Sequence, residues 1–370
     1  MGKVSIAKTT DGVREALVRA LNLIGGLEKF ISRSDSVLIK PNLNGADVYT
    51  DKELASALIE MLRDLGVSRI AIAESTFGNA QTTRMFFNKT GYTELASRCG
   101  VGLLNLNESE AVEVPVTNPL ALSSIRVAKE VLEADKIINL PNMKVHYATG
   151  VSLALKNLKG FLVGGEKRHF HETGLNDCIV DLCNTIRPHL NIVDGISCME
   201  RMGPHGGDAI RLDLLIAGRE MEEVDCVGCR VMGYDLSEVA HLKKYLELNR
   251  ADPGEIEIAG ETVESVAYPF KKVDMAKIVP EHFHIHDRNA CCTCVNAFLI
   301  SCRLLAGSPT QDMDVFLGSH DEVAGAPEAL RIAFGNCCAK SMRGDIAIAG
   351  CPPYPFALGE SIKDLLKMEE

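Results

Sequence analysis

Residues 136–160 read KIINLPNMKVHYATGVSLALKNLKG. The opening KIINLP is a short apolar run of the buried-strand kind, and it stops at a proline. Lys144 and His146 follow directly, and then comes a stretch with helical spacing. A strand that delivers polar side chains at its carboxyl end and is followed by a helix is the repeating unit of an open α/β sheet, whose ligands bind at that edge.

The same alternation extends in both directions. Upstream, KVSIAK (Lys3–Lys8) leads into a helical stretch over Asp11–Phe30, and SVLIK (Ser36–Lys40) ends at Pro41. A helix over Asp51–Leu65, the strand SRIAIAES (Ser68–Ser75) and a helix over Thr82–Asn88 follow. Downstream the pattern predicts helices over Thr149–Lys159 and Leu175–Ile186, strands at Asn191–Ser197 and Leu212–Gly218, and helices from Glu222 and Leu236. DPGEIEIAGE (Asp252–Glu261) reads as a small strand pair closing the unit. Strands joined by helical crossovers imply an α/β fold with a mostly parallel or mixed sheet and helices on both faces. At Tyr268–Arg288 the pattern becomes polar and irregular, which places a boundary there: an α/β domain over 1–275 and a small α/β cysteine-rich domain over 276–370. In the second, a helix is expected over Thr293–Leu305, strands at Met313–Gly318, Leu330–Asn336 and Asp345–Gly350, and a final helix over Leu358–Met368.

Composition narrows the function. The formal net charge is −11 without a dense Lys/Arg run, which argues against a nucleic-acid partner, because counterion release needs a basic surface. No apolar run approaches the ~20 residues needed to span a bilayer, and the chain enters a strand pattern at once without a leader-like stretch. The expected location is cytoplasmic. Thirteen cysteines in a reducing compartment point to metal or redox chemistry, and the odd count fits a paired disulfide framework poorly.

The carboxyl edge of the predicted sheet gathers Lys40, Asn42, Glu74, Lys144, His146 and Asp194. On the predicted helix over Thr149–Lys159, Ser152, Lys156 and Lys159 share a face bordered by Asn157, which suits a small anionic substrate or cofactor. GFLVGGEKRHFH (Gly160–His171) adds Lys167, Arg168, His169 and His171. The alternative is a solvated helix face and a surface loop. Gly203–Asp208 reads as a flexible glycine-rich loop able to cover an anion, but it lacks the Lys-Ser/Thr of a phosphate-binding loop.

NACCTCVNA (Asn289–Ala297) crowds three cysteines before a helix. Cys291 and Cys294 form a C-x-x-C pair at its start, where free N–H groups favour thiolate. Cys337 and Cys351 follow apolar strands, so a small sheet would gather three loops into one four-thiolate cage. Such a set suits a [4Fe–4S] cluster or tetrahedral zinc, and buried free cysteines are the remaining alternative. Cys302 reads as core, as do Cys226 and Cys229 in mid-helix; Cys292 and Cys338 are second members of adjacent pairs, which rarely face the same way, with one of them replacing its neighbour as ligand as the alternative.

VLIKPNL, INLPNMKVH, TGVSLALKNLKG, NIVDGISCMERMGPHGGD and VDCVGCRVMGYD, in this order, resemble the domain of unknown function 362 (DUF362) family over most of residues 1–270. The resemblance implies a mixed α/β fold. It also implies an iron–sulfur cofactor, since many members carry a ferredoxin-like cysteine run at the carboxyl end. This chain lacks that run, and its tail is similar to a different pattern, C-x-x-C … G-N-C … G-C-P-P, of some archaeal and anaerobe-associated members. That likeness implies Cys291, Cys294, Cys337 and Cys351 as the ligands.

Together these readings give an iron–sulfur protein of anaerobic metabolism, exchanging electrons with its own substrate site or with an electron-transfer protein, possible as a homo-oligomer. Lys144, Lys156 and Lys159 would clamp the charge, with Lys40, Asn42, Asn157 and His171 lining the ligand. His146, His169 and Asp194 would move protons. The alternatives are a binding or assembly module whose tail holds a structural metal, and a non-redox enzyme using an open-site cluster.

Overall fold

A computed structural model describes residues 2–44, 48–305, 311–319, 329–339 and 345–367. The chain divides into two compact units, Met1–Lys272 and Val273–Glu370.

The first unit is built on a ten-stranded mixed sheet with helices on both faces. Its strands in chain order are β1 (Lys3–Lys8), β2 (Ser36–Pro41), β3 (Arg69–Glu74) and β4 (Gly102–Asn105). The pair β5 (Ala111–Pro115) and β6 (Ser124–Ala128) forms a separate two-stranded ribbon. The sheet continues with β7 (Lys136–Leu140), β8 (Asn142–His146), β9 (Gly150–Ser152), β10 (Leu190–Glu200), β11 (Asp208–Gly218) and β12 (Glu257–Gly260). The order across it is β12-β1-β11-β10-β7-β2-β3-β4, with β8 branching from β10 and β9 hairpinned onto β8. The run from β10 through β7, β2 and β3 to β4 is parallel, whereas β11 is antiparallel to both its neighbours.

Strand β2 is buried on both faces and ends at Pro41, which lacks the N–H to extend a ladder. The helices Val13–Leu23 and Lys52–Asp64 pack Leu17, Leu21, Leu54 and Leu58 against Ile39, Ile72, Ile138 and Ile192 of the sheet. Asp51 caps the second helix by accepting from the Glu53 N–H at 2.7 Å, a contact worth about 1 kcal/mol.

Two segments of the first unit depart from the sequence reading. The expected helix over Thr149–Lys159 splits, because Gly150–Ser152 pairs with β8 and only Ala154–Asn157, followed by a 3₁₀ turn over Leu158–Phe161, is helical. The buried Asp225 carboxylate sets that start, accepting from the N–H groups of Ala154 (2.6 Å) and Leu155 (3.0 Å). The expected strand pair at Asp252–Glu261 is one strand, β12, parallel to β1. The loop read over Gly203–Asp208 lies at the turn of the long β10–β11 hairpin, with Asp208 already the first residue of β11.

The second unit is a four-stranded parallel sheet in the order β13-β14-β15-β16: β13 (Phe283–Arg288), β14 (Met313–Gly318), β15 (Leu330–Phe334) and β16 (Ile346–Ile348). The helices Cys292–Leu304 and Ala357–Lys367 bury Phe298, Leu358 and Ile362 with Val315, Ile332 and Phe334. Met368, placed in the last helix by the sequence reading, lies outside the described residues. The segment read as irregular contains β13. As an edge strand with one partner it exposes side chains on both faces, so it carries no period-two signal.

Candidate functional site

At the carboxyl ends of β2, β3 and β7 the sheet buries an unusual density of polar side chains. Lys40 is fully buried and its ammonium meets Glu74 Oε2 at 2.9 Å and the Pro41 carbonyl at 2.7 Å. Burial lowers the Lys40 pKa, against the opposing attraction of Glu74. Glu74 Oε2 also accepts from the Leu43 N–H at 3.2 Å. The 3₁₀ turn over Leu158–Phe161 closes on this pair at Gly160, where a Cβ would stand 2.1 Å from Glu74 Oε1. Lys40 is thus engaged inside the protein, tying β2 to β3.

Lys144 lies on β8, also fully buried, and donates to Asn42 Oδ1 at 3.0 Å and to the Val48 carbonyl at 2.6 Å. Burial, then the charge of Lys156, pushes its ammonium down to about 7. From Asn42 a series of amides crosses the sheet. Asn42 bonds Asn157 (3.0 Å), Asn157 bonds Asn139 (2.8 Å), and Asn139 bonds Asn191 (2.9 Å). The series ends where Asn191 meets the Arg219 carbonyl at 2.7 Å. Asn157 therefore serves the interior.

Asp194 on β10 is buried, and its carboxylate accepts from the N–H groups of Asp51 (2.7 Å) and Ile196 (2.9 Å) and from Asn142 Nδ2 (3.2 Å). Burial raises it to about 7 despite those bonds. It anchors the helix cap at Asp51 to the sheet edge.

The basic groups form a second cluster. His146 is buried, stacks on Tyr147 at 4.7 Å between ring centroids, and accepts from the Ala148 N–H at Nδ1. Burial, followed by the charges of Lys156, Lys159, His171 and His241, holds it well below the ordinary imidazole range. Lys159 Nζ lies 2.8 Å from His171 Nε2, and burial with Lys159 and Lys156 drives His171 down to about 2. The imidazoles of His146 and His171 are therefore neutral at pH 7. Lys167, whose ammonium bonds the carbonyls of Ser75 (2.6 Å) and Thr76 (3.1 Å), falls to about 7 through burial. His169 stands apart, on the exposed side of its helix, with Thr173 Oγ1 at 3.3 Å.

The sequence reading missed the amide series and the contacts of Asp225 and Lys167. Asn139 and Asn191 sit inside otherwise apolar strands, and a polar residue in a buried strand was the available signal.

In the second unit, Cys291 is the N-cap of the helix Cys292–Leu304. Its hydrogen bond from Cys294, outweighing burial, and the backbone N–H groups of Cys294 and Thr293 hold it down at about 6. The buried Cys294 is pushed up, first by that bond and then by burial and the charges of Cys291, Cys351 and Cys337. Its sulfur abuts Gly335, where a Cβ would stand 3.2 Å away. Gly335 has φ +97° and Gly350 φ +145°, so both loops depend on glycine. Asn336 joins them: its N–H donates to the Gly350 carbonyl at 2.9 Å and its Oδ1 accepts from the Gly350 N–H at 2.8 Å. Cys291, Cys351 and Cys337 thus all act electrostatically on Cys294, from the helix start and from the loops after β16 and β15. Among the described residues, no three His, Cys, Asp or Glu side chains are already gathered at metal-ligating spacing. Cys302 and Cys338 are buried in apolar clusters of this unit, and Cys226 and Cys229 are buried in the helix Met221–Val231 of the first.

An open, helix-covered α/β sheet with buried lysines and imidazoles at its strand ends defines the class. The chain belongs to the DUF362 family, a domain of unknown function, whose model matches residues 37–230, a span that holds Lys40 through Asp225 and not the cysteine tail. A thylakoid-associated protein of Synechocystis sp. is 28% identical over 226 residues, covering 58% of this chain and 68% of that protein. Two solved structures align more distantly. A Thermotoga maritima protein gives a TM-score of 0.42 at 13% identity, covering 86% of this chain and 73% of its own. The lactate racemase apoprotein of Thermoanaerobacterium thermosaccharolyticum gives 0.41 at 12%, covering 85% and 69%. Among the described residues no helix is long and apolar enough to cross a membrane.

Proposed function

We propose that this protein is an iron–sulfur redox protein whose first unit binds a small oxyanion. What supports the redox half is that Cys291, Cys351 and Cys337 act electrostatically on Cys294, and that Asn336 joins the loops before Cys337 and Cys351. A four-thiolate set fits a [4Fe–4S] cluster, which would supply one-electron transfer, and zinc is the competing occupant. Cys291, Cys294, Cys337 and Cys351 would hold it, with Gly335 leaving room beside the Cys294 sulfur. In the first unit Lys144, Lys156 and Lys159 supply positive charge, while the buried His146 and the half-buried His171, both neutral, offer ring nitrogens that accept or donate a proton. Asp194 and the amide series hold these groups in place.

Iron, acid-labile sulfide and zinc analysis of anaerobically purified protein, with EPR after reduction, tests the redox half. About four irons and four sulfides per chain are expected. Cys294→Ser should lose most of the iron, whereas Cys302→Ala, a change in the apolar core, should keep it. A colourless protein holding one zinc would refute the redox reading.

A further inference from the structure

Histidines recur at alternate positions in PEHFHIHDR (Pro280–Arg288), at 282, 284 and 286, a tract whose composition suits metal binding. His284 and His286 belong to β13, where alternate side chains share a face. His282 stands just before it, and its carbonyl already accepts the Met313 N–H of β14 at 2.8 Å. The parallel register sets Asp314 beside His284, and the same register sets Asp312 beside His282. Asp312 Oδ1 therefore faces two imidazoles at once, with His282 Nδ1 at 3.0 Å and His284 Nε2 at 3.6 Å. The first contact is a hydrogen bond, whereas the second is too long for one. As ion pairs, such exposed contacts would add little stability.

Their spacing suits a metal better. Two donors bound to a tetrahedral ion at about 2.0–2.1 Å stand about 3.3 Å apart, a value that the two separations bracket. The three donors do not enclose one centre as they stand. Their side chains are 34%, 52% and 62% exposed for His282, His284 and Asp312, so an ion reaches all three and the His284 ring has room to turn toward it. His286 is employed otherwise. Its Nε2 lies 2.6 Å from Oδ1 of the buried Asp314, and its ring stacks on Phe316 at 4.6 Å between centroids. The group is also distinct from the cysteines. Cys291, Cys337 and Cys351 follow the carboxyl ends of parallel strands, whereas His282 and Asp312 precede the amino ends of β13 and β14.

We propose that His282, His284 and Asp312 form a metal site on the surface of the second unit, separate from the cysteines, for a divalent transition-metal ion such as zinc. His282 binds through Nδ1, His284 through Nε2 and Asp312 through Oδ1, and the fourth position is left to water. Two imidazoles with one carboxylate select such an ion over calcium or magnesium, which take oxygen ligands. The site does not depend on the iron–sulfur reading.

Calorimetric titration of zinc into untagged, anaerobically purified full-length protein tests it. One zinc per chain is expected to bind beyond the metal already held. His284→Asn and Asp312→Asn, both at exposed positions that tolerate the change, should each weaken that binding at least tenfold. Glu281→Gln is the control: its carboxylate stands 3.7 Å from the other ring nitrogen of His282, and its loss should alter the affinity less than twofold. The cysteines are unchanged in every variant, so differences among them report on the histidine site alone. No additional equivalent in the wild type, or a loss smaller than tenfold in either ligand variant, overturns the site. A loss in Glu281→Gln as large as in those two would show diffuse surface charge at work and overturn it as well.

Discussion

Replacing Gly160 by alanine puts the packing of the site to a direct test. The added Cβ would stand 2.1 Å from Glu74 Oε1, 2.3 Å from Lys40 Cε and 2.4 Å from Lys40 Nζ. Side-chain ends usually swing away from such an intrusion. Here they are fixed, because Glu74 Oε2 is held by Lys40 and the Leu43 N–H, Lys40 also by the Pro41 carbonyl, and both side chains are buried. Lifting the turn instead would break the bonds that the Ser75 N–H (3.1 Å) and Ser75 Oγ (2.8 Å) make to the Gly160 carbonyl. Overpacking a core costs about 1–3 kcal/mol, and leaving a buried charge without its partner about 3–5 kcal/mol. Partial relief by either route gives an expected loss of about 3 kcal/mol, a large share of the ~5–15 kcal/mol that a domain holds. Urea titration followed by tyrosine fluorescence measures it. The chain has no tryptophan, and every tyrosine except Tyr354 lies in the first unit, so the signal reports on that unit. Gly165→Ala is the control, since a Cβ there meets nothing within 4 Å and its φ of −79° suits any residue. If the two variants unfold at the same midpoint, the Lys40–Glu74 pair is not the rigid wedge described.

Three further outcomes follow from Asp225 and Lys144. Asp225→Ala strips both acceptors from the Ala154 and Leu155 N–H groups and should destabilise the first unit by about 2–5 kcal/mol, with Asp225→Asn recovering part. Because burial raises Asp225 from 3.8 to about 8, its contribution is complete below its unfolded pKa and fades as pH rises through its folded one. The gap between wild type and Asp225→Asn, measured in urea, should therefore shift in favour of the variant between pH 4 and 8, within the limits of that span. Lys144 releases its proton near 7, so sulfate affinity should fall as pH rises through that value, and Lys144→Met should flatten the profile. An equally steep profile in the variant would remove Lys144 from the site.

The first unit was largely legible in the sequence because parallel strands buried on both faces leave short apolar runs that stop at prolines or polar residues, as at Pro41 and Pro141. The edge residues Lys40, Asn42, Lys144 and Asp194 could be placed for the same reason. What escaped is long-range. Asp225 starts a helix 70 residues earlier in the chain, which no local spacing encodes, and without it Thr149–Lys159 reads as one helix. Strand β13 was missed because, with one partner, it leaves the successive residues His284 and Ile285 exposed, so no period-two pattern marks it.

The amides from Asn42 to Asn191 have one further property. As an ammonium Lys144 can only donate, so Asn42 then presents its oxygen to it and its NH₂ to Asn157. Each later amide is turned the same way, until Asn191 gives its NH₂ to the Arg219 carbonyl. The row therefore has a polarity, set by an obligate donor at one end and an obligate acceptor at the other. Turning one amide over would bring two NH₂ groups face to face and two oxygens likewise, so no member reverses alone. A ligand that competes for the Lys144 ammonium acts on the end that sets this polarity, and the orientation of side chains on β7 and β10 is linked to the occupancy of the strand ends.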